Sequence, residues 1–236
     1  LVHSCDVYFY TIGQRMGIDV MAEFGKDFGL GKATGVELPS ERTGIMPSTA
    51  WKQKAKNEQW LPGETISAAI GQGYVTVTPL QMASLVGTVA NNGVSYRPRL
   101  VQAVMDRMSG NLQELPAVPR GKINAKPETF RVIKDALADV VTKGTATRAK
   151  SSMVTIGGKT GTAQVAALRT GPEENIPKKF RDHAWFVAFA PVESPKIAVA
   201  VLAEHMGHGG AAAAPLAKEV IETYMKLAPQ VPAVTS

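Results

Sequence analysis

A single cysteine, Cys5, leaves this chain unable to form an internal disulfide or a zinc site built from paired cysteines. The four histidines lack a regular metal-ligand spacing, so no metal or other cofactor is expected, although His205 and His208 flank a glycine-rich turn. No apolar run approaches the ~20 residues that a membrane-spanning helix needs, and no stretch reads as a secretory signal. The Lys and Arg behind the net charge of +6 are scattered, with small clusters only at 52–56 and 178–181. No aromatic-interleaved basic stripe is present, so nucleic acid is not an expected partner. A basic surface still suits an anionic membrane or polymer nearby. With 44% hydrophobic and 19% charged residues among 236, the chain can bury a substantial core.

What is present centres on Gly157-Gly158-Lys159-Thr160-Gly161-Thr162-Ala163-Gln164. Residues 153–165, with Val154, Ile156 and Val165 among threonines and small residues, predict a strand. The glycines before the lysine, and Gly161 after it, would let another backbone or a ligand lie close against that strand. Lys159 followed by the hydroxyls of Thr160 and Thr162 sets one cation and two donors along a short line, which suits a carboxylate. Lys-Thr-Gly is also one of three short motifs of penicillin-recognising serine acyl-transferases. The plainer alternative is a lysine at the mouth of an ordinary glycine-rich strand.

In chain order, Ser4 or Asp6 is placed to cap a helix that Gly17 ends. The functional alternative is that Ser4 points its hydroxyl into a cleft while Asp6 orients a neighbour. Asp19 is expected to cap a second short helix, with Val20, Phe24 and Phe28 at fourfold spacing. Residues 30–64, rich in Gly and Pro, predict an irregular excursion with a helical turn near 51–56. Thr78, Pro79 and Gln81 form a capping box for a core helix that runs to Asn91. Gly71 and Gly73, just before it, sit where a backbone could line a cleft. A loose strand is expected over 97–105, a proline-rich loop over 116–127 and an amphipathic helix over 128–143. A mobile loop over 166–182 follows the lysine strand. Two strands, 183–191 and 196–204, should form an antiparallel hairpin, with a last helix over 213–227. Helices, then sequential strands, then a helix predict an α+β layer with helices packed on an antiparallel sheet.

Four motifs occur in order: Ser4-Cys5-Asp6, Gly71-Gln72-Gly73-Tyr74 with Thr78-Pro79-Leu80-Gln81, Lys159-Thr160-Gly161-Thr162-Ala163-Gln164, and Asp182-His183-Ala184-Trp185-Phe186. The set closely resembles the C-terminal part of the transpeptidase domain of the elongation-associated monofunctional penicillin-binding proteins, the penicillin-binding protein 2 family. The resemblance runs from residue 1 to about 228, with 229–236 left as a frayed tail. It implies a β-lactamase/transpeptidase-like fold, here without its early strands. It also implies a D,D-transpeptidase that cross-links peptidoglycan stem peptides through an acyl-serine and is trapped by β-lactam antibiotics. Carried over by position, Ser4 relays a proton and Asp6 replaces the usual amide. Lys159 lowers the cost of negative charge, and Thr160 and Thr162 bind the substrate carboxylate beside Gly161. The Thr162 N–H supplies half of an oxyanion hole. The implied setting is the periplasmic face of the bacterial inner membrane, among other cell-wall synthesis proteins of the elongation machinery.

The family nucleophile is the serine of Ser-x-x-Lys, and no serine here has lysine three residues on. Thr49-Ala50-Trp51-Lys52 has the spacing but falls in the irregular region. The chain, which opens on Leu-Val-His-Ser without an initiator methionine, is therefore expected to be part of a longer protein with its nucleophile upstream, and to lack covalent activity alone. Without the early strands, the apolar run 197–202 is expected to form an open edge that self-associates. Two alternatives stay open: a non-catalytic penicillin- or peptide-binding sensor domain, and a serine β-lactamase relative.

Overall fold

The computed structural model describes residues 1–165 and 176–227. Part of the loop expected over 166–182, and all of the tail expected over 229–236, lies outside the described residues.

Helix α1 spans Asp6–Met16 and α2 Ile18–Asp27, with Gly17 between them at φ 75°. Neither expected cap forms. Cys5 precedes α1 without a side-chain cap, Ser4 stands outside at φ 48°, and Asp6 is the first helical residue. Gly17, not Asp19, precedes α2; the Asp19 carboxylate instead accepts from Thr49 N at 2.9 Å and Thr49 Oγ1 at 2.8 Å. Of the fourfold-spaced residues, Phe28 packs on the core beside Val86 and Phe189, whereas Val20 and Phe24 are exposed and Ile18 and Ala22 are the buried residues of α2.

The expected excursion over 30–64 is irregular to Ser48 and again over 57–61, and two helices begin within it. Helix α3 (Thr49–Lys56) follows, capped by Ser48 Oγ accepting from Trp51 N at 3.0 Å, and then α4 (Pro62–Ala69). Both members of the Thr49-x-x-Lys52 spacing are occupied structurally. The Thr49 hydroxyl is bound to Asp19, and the Lys52 side chain, 2% exposed, lies 2.6 Å from Glu64 and 3.3 Å from Glu58. That buried ion pair joins α3 to α4, and the Leu61 N–H and then Lys52 hold the Glu64 carboxyl below its usual range.

The capping box of α5 (Pro79–Ala90) forms as read: Thr78 Oγ1 accepts from Gln81 N, and Gln81 Oε1 accepts from Thr78 N at 2.9 Å. Gln81 does more than cap. Its buried amide donates to the carbonyls of Lys32 at 2.8 Å and Thr43 at 2.7 Å, tying the irregular segment to α5.

Two small antiparallel ribbons replace the expected strand and proline-rich loop. Strand β1 (Val94–Tyr96) pairs β4 (Pro119–Lys122), and β2 (Ala103–Met105) pairs β3 (Leu112–Glu114). These strands are three or four residues long and largely exposed, too short for an alternating pattern to register.

Helix α6 (Pro127–Lys143) buries Phe130, Leu137, Val140 and Val141, as its stripe predicts. The central sheet has the order β5 (Gly157–Ala163), β6 (His183–Ala190), β7 (Ile197–Ala203), antiparallel throughout, and α7 covers Ala213–Leu227. The hairpin and last helix stand where expected; the lysine strand is shorter than 153–165. Alternation along β6 divides the core. Phe186 and its even-numbered neighbours pack with α6 and α7, whereas Phe189 packs with Val86, Val89 and Leu137 from α5 and α6. Helices thus sandwich an antiparallel sheet, the α+β layer read from the sequence.

Candidate active site

Strand β5 presents the site. Gly157 and Gly158 do not open it to a ligand. A Cβ on Gly158 would stand 2.5 Å from Phe186 Cζ, and one on Gly157 2.8 Å from Phe189 Cζ, so the two glycines admit the core rings of β6. With the strand pressed against those rings, Lys159 projects toward α1. Its Nζ donates to Ser4 Oγ at 2.5 Å and to the Thr160 carbonyl at 2.9 Å. The first bond spans 155 positions of sequence.

Ser4 is held for this contact from two sides. Its N–H donates to Leu1 O at 3.2 Å, and Val2 O accepts from Thr145 N at 3.3 Å, so the residues before α1 are stitched to the turn after α6. A positive φ is uncommon outside glycine, and at 48° Ser4 carries a conformational cost of order 1–3 kcal/mol. Strain of this kind persists where the surroundings over-determine a residue, as two elements and a lysine do here.

Ser4, Asp6, Lys159, Thr160, Gly161 and Thr162, all six residues singled out in the sequence, line one open cavity of about 940 Å³. The same cavity is lined by residues that no single motif assigns to a site. The Thr145 hydroxyl lies 2.8 Å from that of Thr160. Gln72 Nε2 donates to the Thr162 carbonyl at 2.8 Å. Arg148, exposed, donates to Ala211 O at 2.9 Å, and His208 comes from the glycine-rich turn before α7. Gln72 had a signal in the paired glycines that flank it, and His208 in the glycine-rich turn beside it. His205 takes no part: its N–H donates to His183 Nδ1 at 2.9 Å.

Burial pulls the Lys159 ammonium below the ordinary lysine value of 10.5, and the nearby Asp6 carboxylate opposes that shift. The unfolded chain holds this proton more tightly, so the group's contribution to stability is poorest below the lowered value and improves as pH rises toward 10.5. A partly desolvated cation bonded to a serine hydroxyl, with two threonines along the same strand, can hold an anionic group and pass a proton beside it.

Fold and cleft define a transpeptidase-like α+β protein with a lysine–serine pair at one edge of its sheet. The chain belongs to the penicillin binding protein transpeptidase domain family, which it matches over residues 1–222. It is 39% identical over 230 residues to the peptidoglycan D,D-transpeptidase MrdA of Acinetobacter baumannii, covering 95% of this chain and 34% of that protein. Against MrdA of Escherichia coli K12 it is 34% identical over 236 residues, covering 95% and 36%. The chain therefore spans about a third of the length of these curated relatives. Among solved structures, the Helicobacter pylori penicillin-binding protein PBP2, in complex with MreC, superimposes with a TM-score of 0.79 at 31% identity, covering 95% of this chain and 39% of that one. Pseudomonas aeruginosa PBP2 in complex with WCK 5153 gives 0.77 at 35%, covering 93% and 46%. The resemblance to penicillin-binding protein 2 read from the motifs holds over nearly the whole chain.

Proposed function

We propose that this chain is the part of a peptidoglycan D,D-transpeptidase that holds the substrate carboxylate and relays the proton, while the Ser-x-x-Lys nucleophile lies upstream in the parent polypeptide. The 2.5 Å contact between Lys159 Nζ and Ser4 Oγ carries this reading. In the proposed step the upstream serine oxygen bonds to the carbonyl carbon of a stem peptide. The amide C–N bond breaks, and the proton that the attacking hydroxyl gives up passes through the Ser4 hydroxyl to the leaving amine. Lys159 offsets negative charge beside it, Thr160 and Thr162 hold the terminal carboxylate, and the Thr162 N–H faces the oxyanion. Asp6, exposed at the start of α1, acts on Lys159 through its field.

By the same reading the parent works at the periplasmic face of the inner membrane and is acylated by β-lactams. Its partners belong to the elongation machinery, as the MreC complex of the H. pylori protein suggests. Among the described residues no helix is long and apolar enough to cross a membrane.

The test is intact-mass spectrometry after reaction with a fluorescent penicillin, on this chain and on one extended upstream through a Ser-x-x-Lys. Label on the longer chain alone is expected. Label on this chain would put the nucleophile inside it, and label on neither would favour a binding module without turnover.

We also propose that the open edge of β7 drives self-association. Among the described residues β7 pairs only with β6, and its seven residues carry neither charge nor proline, a combination that invites edge-to-edge pairing. This chain should therefore form dimers or larger species in light scattering. Ala200→Lys should shift it toward monomer, and a monodisperse monomer for the unmodified chain would remove the proposal.

A further inference from the structure

The outer edge of β5 is not bare. In an antiparallel ladder, alternate residues turn both backbone polar groups to the same edge. Thr160 and Thr162 are such a pair, and on the side away from β6 side chains fill their carbonyls: Lys159 Nζ at 2.9 Å from Thr160 O and Gln72 Nε2 at 2.8 Å from Thr162 O. The lysine belongs to the strand itself. Gln72 reaches in from 90 positions away.

Gln72 stands on a rigid mount. Its N–H donates to Ser67 O at 2.9 Å, and Gly71 N to Ala68 O at 3.0 Å, closing the end of α4. Gly71 and Gly73 take φ values of 76° and 71° on either side. Tyr74 then anchors the segment, its ring centroid 5.2 Å from Trp51 and 6.3 Å from Trp60, with the buried Lys52 ammonium 5.8 Å away. The backbone is thus pinned from both sides, while the half-buried Gln72 side chain meets β5 through one neutral amide–carbonyl bond.

We propose that Gln72 is a placeholder on the β5 edge, displaced when an extended peptide adds alongside the strand, and that it thereby sets which ligands enter. A peptide binding by strand addition draws its main-chain hydrogen bonds from the edge it joins. Its amide N–H and the Gln72 amide compete for one acceptor, Thr162 O. Until a ligand arrives, Gln72 keeps that carbonyl from standing unsatisfied. Once a ligand arrives, the bond to Gln72 must break. Ligands with a backbone N–H to offer recover it; ligands without one leave the carbonyl unpaired or stay out. This rests on the preceding reading that a peptide with a terminal carboxylate lies along β5 beside Lys159.

The test uses the longer polypeptide that carries the nucleophile, labelled with fluorescent penicillin. The competitors are an N-acylated D-alanyl-D-alanine peptide and the same peptide N-methylated at the amide before the scissile bond. Gln72→Met, which keeps the side-chain length and removes the donor, should lower the inhibition constant of the unmethylated peptide by about two- to tenfold, the range that one neutral hydrogen bond supplies. The methylated peptide, which cannot replace the bond, should bind more weakly than the unmethylated one to either protein, and Gln72→Ala should repeat the pattern with unchanged near-ultraviolet circular dichroism. Weaker binding of both peptides would make Gln72 a fixed support of β5 and overturn the proposal, as would no change for either. If the unsubstituted protein takes no label at all, the functional reading falls first. Normal labelling without a Gln72 effect removes this proposal alone.

Discussion

Lys159→Gln should slow penicillin acylation of the longer polypeptide by about 10²–10³-fold, the loss typical when one preorganised donor to a developing charge is removed. Glutamine keeps most of the reach of lysine and can still donate to Ser4, so the loss isolates the positive charge. Lys159→Arg should not restore the rate, because a planar fork cannot replace a point charge that bonds Ser4 Oγ and Thr160 O together. The pH profile separates this role from a structural one. In the proposed step the protonated amine is the working form, and burial lowers its value below 10.5, so activity should fall on the alkaline side before free lysine would titrate. Lys159→Gln should lack that alkaline limb. A Lys159→Gln protein that is acylated at the original rate would show that the lysine only packs.

Gly209→Ala should cost about 10²-fold in labelling rate through displacement of the site's wall, since shifts near 1 Å in a reacting geometry have effects of that size. Gly209 is not among the positive-φ glycines, so the cost comes from contact. An added Cβ would stand 2.1 Å from Trp185 O, 2.6 Å from Gly161 O and 3.1 Å from Gly161 N. Those are backbone atoms of the paired strands β5 and β6, where Gly161 faces Trp185, and they cannot swing aside. The turn must lift instead, carrying His208 and Gly210 away from the cleft. Gly209 O also accepts from Ala213 N at 3.0 Å and Ala214 N at 2.9 Å, so lifting loosens the first turn of α7. Gly63→Ala is the matched control, because a Cβ there meets nothing within 4 Å. Labelling rates measured beside far-ultraviolet circular dichroism decide the matter. A Gly209→Ala protein as active as the Gly63→Ala control would mean that the turn does not shape the site.

Local signals explain which parts of the fold were readable. The α5 box is made by Thr78 and Gln81, three residues apart, and the α6 stripe by residues three and four apart. Helix α4 escaped because the Pro62-Gly63 opening reads as a turn. Its start depends on Glu64, whose carboxylate accepts from Leu61 N while also pairing with Lys52. The ribbons β1–β4 and β2–β3 escaped for want of length. Asp19 looked like a cap, but its partner is Thr49, 30 residues on.

From the sequence alone came the class of fold, because stripes, the α5 box and the hairpin act within a few residues of chain, and the six residues of the cleft, through short ordered motifs that resemble those of a known family. Tertiary structure alone decided what those residues do to one another: that Ser4 leaves the cap to receive Lys159, that Gly157 and Gly158 serve the core rings, and that Gln72 covers Thr162. Each of those contacts depends on closing a long stretch of chain, and its energy comes from burial and from partners that no local pattern encodes.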